Sequence, residues 1–351
     1  MNHEEIDKRL DKMIDDAEKE LDIVFTKRMQ AISAQLALMF KKYGDGATIS
    51  RTEIYKYNRM QKELAAMAKE IDKDYKAVYA SLLVLLQSQY IENYLQSGYI
   101  YELTAGTPME YVIPSIETIN KVIANPIKEL TLPNLMNNHR NEIIRKINIE
   151  IAQGIQAGES YSEMATRIEK AVGFSSRKAR AVARTEGGRV QTISRLDSAE
   201  HAQQHANLVK VWNATLDNHV RTSHRVLDDQ KADEKGYFHF RGHKAKGPRL
   251  FMVASLDINC RCTILFTVNG ERPELRRARN YEDAKYQRKL ADRIDKYMAD
   301  GKTLKQAEKR AMKEIKPPSV VVGYQSYQEW KKKLKTGDLN VAELLKRRDV
   351  Q

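Results

Sequence analysis

Apolar residues in the first hundred positions recur at steps of three and four, the spacing that places them on one face of an α-helix. The first such stripe runs from Ile6 to Met39 and is ended by Gly44-Asp45-Gly46. Ser50-Arg51-Thr52-Glu53 then forms a capping box, which predicts a second helix to about Asp72 and a third that ends at Gly98. Such helices could form a bundle, or an elongated arm that buries its apolar stripe against a partner.

Residues 104–133 are punctuated by four prolines, each of which removes an amide donor and disfavours helix in the residue before it. This segment is predicted to be an irregular connector with one short helix around Ile116 to Ala124. Helical periodicity then resumes from Asn134 to Gly158. A capping box at Ser160-Tyr161-Ser162-Glu163 starts another helix with a predicted stop at Gly173. A cap at Ser175 or Ser176 is predicted to open the next helix.

The pattern changes after Asn207, where short β-branched and aromatic runs replace the helical stripes. LVKVWNAT is predicted to be a strand, LDNHVRTSHRVLDDQ a helical turn, and CRCTILFTV a second strand. After Val268 the chain is predicted to return to charged helix. The predicted fold class is α+β, a mainly helical chain with one small α+β module. The predicted regions are a helical N-terminal region at 1–103, the connector at 104–133, the module at 134–268 and a basic helical tail at 269–351.

Charge and cysteine content narrow the class of protein. The 351 residues include 60 Lys and Arg against 47 Asp and Glu, a net charge of +13. Such a balance favours a polyanionic partner, meaning nucleic acid or an acidic protein surface, although a solvated helical surface explains it equally well. No apolar run approaches the roughly 20 residues of a membrane span. Only two cysteines occur, which excludes a disulfide scaffold and suits a reducing cytoplasm.

Asp217, Arg221 and His224 follow one another at steps of four and three residues. If this segment is helical, the three side chains share one face, and Asp217 can pair with Arg221. Arg261 is a second candidate partner, for Asp217 or Asp257.

His224, Cys260 and Cys262 are candidate zinc ligands, because thiolates and imidazole are the groups zinc prefers. In an extended strand the two cysteines point to one face and Arg261 to the other. A fourth ligand could come from His239, His243 or Asp217. The alternative is that both cysteines are small buried core residues. A disulfide between them would close a very small strained ring.

Basic clusters are candidate nucleic-acid contacts. The predicted contacts are Arg177, Lys178 and Arg180 in the helical stretch RKARAVARTEGGRV, and Arg276, Arg277 and Arg279 in the tail. Arg184 and Arg189 lie in the same stretch, and Glu186 could pair with Arg189. The alternative is a charged helix face with local ion pairs.

Three segments together resemble the phage Mu F-like minor head proteins of tailed bacteriophages and prophages. They are ARTE at Ala183–Glu186, VWNATLDNHVRTSH at Val211–His224, and INCRC at Ile258–Cys262. The signature positions are Arg184, Glu186, Trp212, Asp217, Arg221, His224, Asn259 and Arg261. The resemblance covers about Ile155 to Val268. Where the family often has Asp-Gly-Gln after the histidine, this chain has Asp228-Asp229-Gln230.

The resemblance implies a minor procapsid component that associates with the portal and assists head assembly, DNA packaging and ejection. Residues 1–103 are then the candidate portal-docking region, and scaffold and major capsid proteins are further expected partners. DNA would be bound without sequence preference. The expected locations are the host cytoplasm during assembly and the interior of the virion head.

A zinc-dependent nuclease or hydrolase acting on nucleic acid is the alternative function. It would place Asp217, Arg221, His224 and Glu186 around a zinc held by the cysteines. The sequence contains no complete catalytic constellation, and metalloprotease, phosphate-loop and deaminase patterns are absent. A non-enzyme, with a structural zinc as the one candidate cofactor, is therefore expected.

Overall fold

The computed structural model describes residues 3–44, 47–124 and 131–333. The helices are α1 His3–Tyr43, α2 Arg51–Tyr55, α3 Arg59–Ala105, α4 Ile116–Ile123, α5 Leu132–Ala157, α6 Tyr161–Ala202, α7 Thr222–Leu227, α8 Ala254–Asp257, α9 Ala284–Ala299, α10 Leu304–Glu314 and α11 Tyr327–Lys333. The strands are β1 Leu208–Asn213, β2 Phe238–Phe240, β3 His243–Ala245, β4 Thr263–Val268, β5 Leu275–Arg279 and β6 Ser319–Gly323. The predicted class, a mainly helical α+β chain, is confirmed.

Two compact units divide the chain. Glu5–Gln204 and Met252–Cys260 form the first, which we call the helical unit. Residues 3–4, His205–Phe251 and residues 261–333 form the second, which we call the sheet unit. This division differs from the predicted regions. Helices α5 and α6, assigned to the module, pack with α3 in the helical unit. Residues 269–333 of the predicted tail belong to the sheet unit, and the rest of that prediction lies outside the described residues.

The helical unit is a bundle in which the predicted stripes form one continuous apolar core. Leu36 of α1, Leu86 of α3, Ile147 of α5 and Ile168 of α6 are all essentially inaccessible to solvent. Covering these stripes removes apolar surface from water, which is the main favourable term in folding. The bundle alternative is therefore correct, and the stripes do not form an arm waiting for a partner.

Capping residues set the helix starts much as predicted. Ser50 accepts a hydrogen bond from the Glu53 amide at the start of α2. The Ser160–Glu163 capping box is complete at the start of α6. At the other ends, Gly106 and Gly158 close α3 and α5 with φ of +67° and +68°, a conformation that glycine adopts without steric cost.

Two predicted helix breaks are wrong. Helix α3 is continuous for 47 residues, so the break expected after Asp72 is absent, and the chain instead bends through a 3₁₀ turn at Lys56–Asn58. Helix α6 is continuous through Gly173. A helix tolerates a single glycine at a cost of about 1 kcal/mol, which the packing of the flanking turns offsets. The short helix in the connector, α4, is confirmed.

Three antiparallel strand pairs make up the sheet unit within the described residues. β1 pairs with β4 from Leu208–Val268 to Asn213–Thr263, β2 with β3, and β5 with β6. The last pair falls in the predicted helical tail, so that prediction is wrong at Leu275–Arg279. Leu216 forms a parallel bridge with Ala278, which joins the tail to the loop after β1. None of the described helices is long and apolar enough to span a membrane.

Candidate functional site

Trp212 lies at the centre of the sheet unit's core. It is opposite Ile264 in the β1–β4 register and is fully buried. Its ring centroid is 5.3 Å from Phe238 and 5.8 Å from both Phe251 and His224. The rings of Trp212 and His224 meet edge to face, a favoured aromatic arrangement, so this packing fixes the orientation of the imidazole.

The segment between β1 and α7 forms a turn rather than the predicted helix. Helix α7 begins only at Thr222, and Arg221 is its extended N-cap with φ −61° and ψ 147°. The Asp217 carboxylate accepts a hydrogen bond from the His219 amide at 2.8 Å, the local pattern of an Asx turn. The prediction that Asp217, Arg221 and His224 share one helical face is therefore wrong.

Asp217 pairs with Arg261, one of the two partners expected for that arginine. Arg261 Nη2 lies 3.0 Å from Oδ1, and Nη1 donates to Oδ2, so the pair is bidentate. Asp217 is fully buried, whereas about a third of the Arg261 side chain is exposed. Thr215 Oγ1 adds a 2.8 Å bond to the Arg261 carbonyl. These bonds attach the loop after β1 to the chain entering β4.

Residues beyond Val268 support the same loop. The Tyr327 hydroxyl donates to the Asp217 carbonyl at 3.0 Å, and the Tyr281 hydroxyl accepts from the Asn218 amide at 2.9 Å. The Arg279 amide donates to the Leu216 carbonyl at 3.0 Å. The described part of the predicted tail therefore supports the loop that follows β1. Nothing in the local sequence pattern indicated this, because the contacts join positions 60 to 110 residues apart.

A buried ion pair links Asp228 with Arg276. Both side chains are essentially inaccessible, and Arg276 Nη1 lies 3.1 Å from Oδ2. The carboxylate also accepts from the Ala214 amide at 2.8 Å and from the Tyr327 amide at 2.6 Å. Asp228 therefore joins the ends of β1 and α7 to the tail. Arg276, predicted to contact nucleic acid, is enclosed in this network.

Asp229 explains one departure from the family pattern. Its φ is +64°, in the left-handed region that favours glycine, the residue the family often has at this position. The Asp229 carboxylate accepts from the Tyr324 hydroxyl at 2.9 Å. Burial and this carboxylate raise the pKa of Tyr324 to about 12. Asp229 thus forms a side-chain hydrogen bond that glycine could not form, at a position where its backbone is strained.

His224, Cys260 and Cys262 lie together, as the sequence predicts. One ligand atom from each can be chosen so that all three lie within 4.8 Å of one another, and all three residues are buried. His224 Nδ1 is 3.4 Å from Cys262 Sγ. The cysteines lie just before β4 rather than in it, yet both point inward as expected. Both are thiols in the structure. The three predicted fourth ligands, His239, His243 and Asp217, are not part of this cluster.

Glu186 pairs with Arg189, as the sequence analysis allowed. Arg189 Nε lies 2.9 Å from the Glu186 carboxylate, and both are buried. Arg189 also donates to the carbonyls of Val122 and Ile123 at the C-terminus of α4. Burial raises the pKa of Glu186, against the lowering effect of Arg189. Glu186 therefore anchors α4 against α6.

Two signature segments meet in the helical unit. The Asn259 amide donates to Thr185 Oγ1 at 3.2 Å, which joins INCRC to ARTE. Asn259 itself has φ +55°, a conformation that asparagine tolerates better than most residues.

Known proteins share these segments. The family model for phage Mu protein F-like proteins matches residues 145–265. The minor head protein GP7 of Bacillus phage SPP1 is 41% identical over 279 residues, which are 79% of this chain and 91% of GP7. The chain belongs to the phage Mu F-like minor head protein family. No solved structure matches significantly.

A second relative of this Mu F-like chain is an enzyme by name. The NAD(+)–arginine ADP-ribosyltransferase EFV of Enterococcus faecalis is 33% identical over 208 residues. The match covers 58% of this chain but only 43% of that protein. More than half of the named transferase therefore lies outside the similarity.

Most of the basic residues predicted to contact nucleic acid form ion pairs or hydrogen bonds within the Mu F-like chain. Arg180 pairs with Asp22 at 2.7 Å, Arg184 with Glu18 at 2.7 Å, and Lys178 with Glu142. Arg277 and Arg279 donate to Ser319 and to the Pro317 carbonyl. Arg177 is exposed. These positions match the alternative of a charged surface with local pairs better than a phosphate-binding face.

Helix α10 carries a lysine stripe that was not predicted from the sequence. Lys305, Lys309 and Lys313 are exposed and lie at four-residue steps, which places them along one face of the helix. The opposite face packs Ala307 and Ala311 against α9. The stripe could have been found from its four-residue spacing, but it was hidden among the many charges of the tail.

Proposed function

We propose that this chain is a minor head protein of a bacteriophage or prophage, that it associates with the portal, and that it assists procapsid assembly and the movement of DNA. The observation that carries the proposal is the 41% identity to a minor head protein over 91% of that protein's length. Two further features support a structural role. The signature residues Asp217 and Glu186 are both engaged by arginines. The alternative nuclease or hydrolase would need these carboxylates at a reaction centre.

The proposed portal contact lies in the helical unit. Val112, Ile113 and Ile116 are three β-branched side chains within five residues, and each is more than half exposed. Neighbouring exposed apolar side chains are a common mark of a protein-binding surface. They lie in the predicted connector, Val112 and Ile113 between α3 and α4 and Ile116 at the start of α4, just after the region predicted to dock on the portal. Scaffold and major capsid proteins are further proposed partners.

Pairwise binding tests the portal contact. Purified chain and portal oligomer from the same phage are mixed and separated by gradient sedimentation, and co-sedimentation is expected. A Val112→Asp, Ile113→Asp variant should lose most of it, whereas Val226→Asp, at an exposed position of the sheet unit, should retain it. Absence of co-sedimentation for the unmodified chain under any assembly condition would refute the portal association.

The proposed DNA contact is the lysine stripe of α10. Lys305, Lys309 and Lys313 present three ammonium groups along about 12 Å of helix, since each residue rises about 1.5 Å. Lysine neutralises phosphates without reading bases, so binding should be non-specific and should weaken steeply with salt. The net charge of +13 acts in the same direction. The protein would act in the host cytoplasm during assembly and then inside the virion head.

Salt titration of binding to duplex DNA tests the stripe. Replacing the three lysines by glutamine should reduce the slope of log affinity against log salt by up to about 3, close to 0.9 per phosphate contact. The matched control replaces Lys19, Lys73 and Lys121, which are paired with nearby carboxylates. Equal slopes for the two triple variants would show that the α10 lysines do not contact DNA. Binding that does not change with salt would show that the contact is not electrostatic.

A further inference from the structure

The cluster of His224, Cys260 and Cys262 has a spacing close to that of a zinc site. A tetrahedral zinc, with bonds of about 2.3 Å to sulfur and 2.0–2.1 Å to nitrogen, holds an imidazole nitrogen and a thiolate about 3.5 Å apart and two thiolates about 3.8 Å apart. The His224 Nδ1 to Cys262 Sγ distance is 3.4 Å. All three ligand atoms lie within 4.8 Å. Binding would therefore require movements of about 1 Å or less.

The ligand positions are held from several sides. Cys260 and Cys262 flank Arg261, whose guanidinium is fixed by Asp217. His224 lies in the first turn of α7, and its ring packs on Trp212. The buried Arg249 side chain donates to the Cys262 carbonyl at 3.2 Å.

The donor set selects the class of metal. Two thiolates and one imidazole are soft to borderline ligands, which suit zinc and disfavour magnesium or calcium. The three side chains are each 2–3% exposed, so the site is enclosed rather than a surface cluster of acidic groups. Cys-x-Cys spacing differs from the common Cys-x-x-Cys knuckle, which explains why the sequence pattern alone was a weak signal.

We propose that His224, Cys260 and Cys262 bind one zinc ion that fastens α7 to the segment preceding β4. Three protein ligands leave one of the four positions of a tetrahedral zinc for a ligand that does not come from this cluster. The zinc stabilises the folded chain, since the ligands come together only on folding. This site goes beyond the head-assembly function and does not depend on it.

Metal content of the full-length chain is the first test. Chain purified under reducing conditions with zinc, and then dialysed, should hold about one zinc per molecule by mass spectrometry. Cys262→Ser and His224→Gln should each lower the retained zinc at least tenfold, as expected for loss of a ligand. His243→Gln, at an exposed histidine, should retain the zinc. Zinc that survives both ligand substitutions would place the metal elsewhere and overturn the proposal.

Cobalt titration of the unmodified chain keeps the test valid if the variants fail to fold. Cobalt(II) should saturate at one equivalent, with a thiolate-to-cobalt charge-transfer band and intense visible bands of tetrahedral cobalt. Zinc should then displace it, and a chelator should lower the melting temperature of the zinc-loaded chain. A chain that gives no thiolate–cobalt band and retains no zinc would show that the two sulfurs and the imidazole are only packed core residues.

Discussion

The two units are held together in different ways. In the helical unit, four long helices bury a continuous set of aliphatic side chains, and Leu36, Leu86 and Ile147 are examples with almost no exposure. In the sheet unit the strands are three to six residues long, and the loops between them depend on side chains that bond to backbone. Asp228 and Tyr327 are the clearest cases. The Asp228 carboxylate accepts from the Tyr327 amide, 99 residues away, and the Tyr327 hydroxyl donates to the Asp217 carbonyl, 110 residues away.

Each unit should therefore be destabilised by a different kind of substitution. A core of many similar contacts loses stability gradually, in proportion to the apolar volume removed. A buried charge is different, because removing one partner leaves the other desolvated and unpaired. The sheet unit should therefore be sensitive at a few polar positions, and the helical unit at many apolar ones.

The largest expected effect is at Arg276. Arg276→Met leaves the Asp228 carboxylate buried without its guanidinium, and should lower the free energy of unfolding by about 3–5 kcal/mol. Arg293→Met, in the same unit, breaks a pair with Glu314 that is about 40% exposed on both sides, and should cost less than about 1 kcal/mol. Urea unfolding of the two variants measures the contrast. Similar costs at both positions would contradict the special status of the buried pair.

Leu86 tests the apolar core of the helical unit. Leu86→Ala removes a side chain that is 1% exposed and should cost about 2–5 kcal/mol through lost burial and the cavity left behind. Val84→Ala in the same helix alters a side chain that is 61% exposed and should change stability by no more than about 0.5 kcal/mol. Equal shifts in melting temperature for the two variants would contradict the burial of Leu86 in the core of the bundle.

Two glycines of α6 should respond in opposite directions. A methyl group added at Gly187 would lie 2.8 Å from Gln89 Oε1 and 3.2 Å from Ile14, so Gly187→Ala should cost about 1–3 kcal/mol by overpacking. At Gly173 the methyl group meets no described atom within 4 Å, and Gly173→Ala should stabilise the helix by about 0.5–1 kcal/mol. Chemical denaturation of both variants checks the signs. A destabilising Gly173→Ala would instead support the helix stop predicted there from the sequence.

A pH dependence of stability is expected at Lys210 in β1. Burial, with a smaller contribution from Lys246, lowers the pKa of Lys210 from 10.5 to about 8. Between pH 8 and pH 10.5 Lys210 is protonated in the unfolded chain and largely deprotonated in the folded chain. The free energy of unfolding therefore rises with pH across this window. Relative to Lys210→Met, the natural chain should therefore gain stability from about pH 8 to pH 10.5. A constant or falling difference would show that the folded state does not disfavour the charged lysine.

The helical unit could largely be predicted from the sequence because its information is local. Stripes at three- and four-residue steps, and caps at Ser50 and Ser160, indicated helices that the structure confirms. Gly173 was misjudged as a stop because intrinsic propensity is a weak signal that tertiary packing overrides.

The sheet unit was predicted less completely because its decisive contacts are not local. The Asp217–Arg261 pair and the clustering of His224 with the two cysteines were predicted from residue chemistry and are present. The strands β5 and β6 and the burial of Arg276 were not. An arginine in a basic stretch gives no local sign that its partner lies 48 residues away.

The most direct test of the proposed role is the composition of procapsids assembled with and without the portal. Portal, scaffold and major capsid proteins of the same phage are co-expressed with this chain, and particles are purified and quantified by mass spectrometry. We expect the chain to be incorporated in a small, fixed number of copies when the portal is present, and to be nearly absent from particles when the portal is omitted. Equal incorporation into particles that lack the portal, or no incorporation into either, would contradict the proposed role.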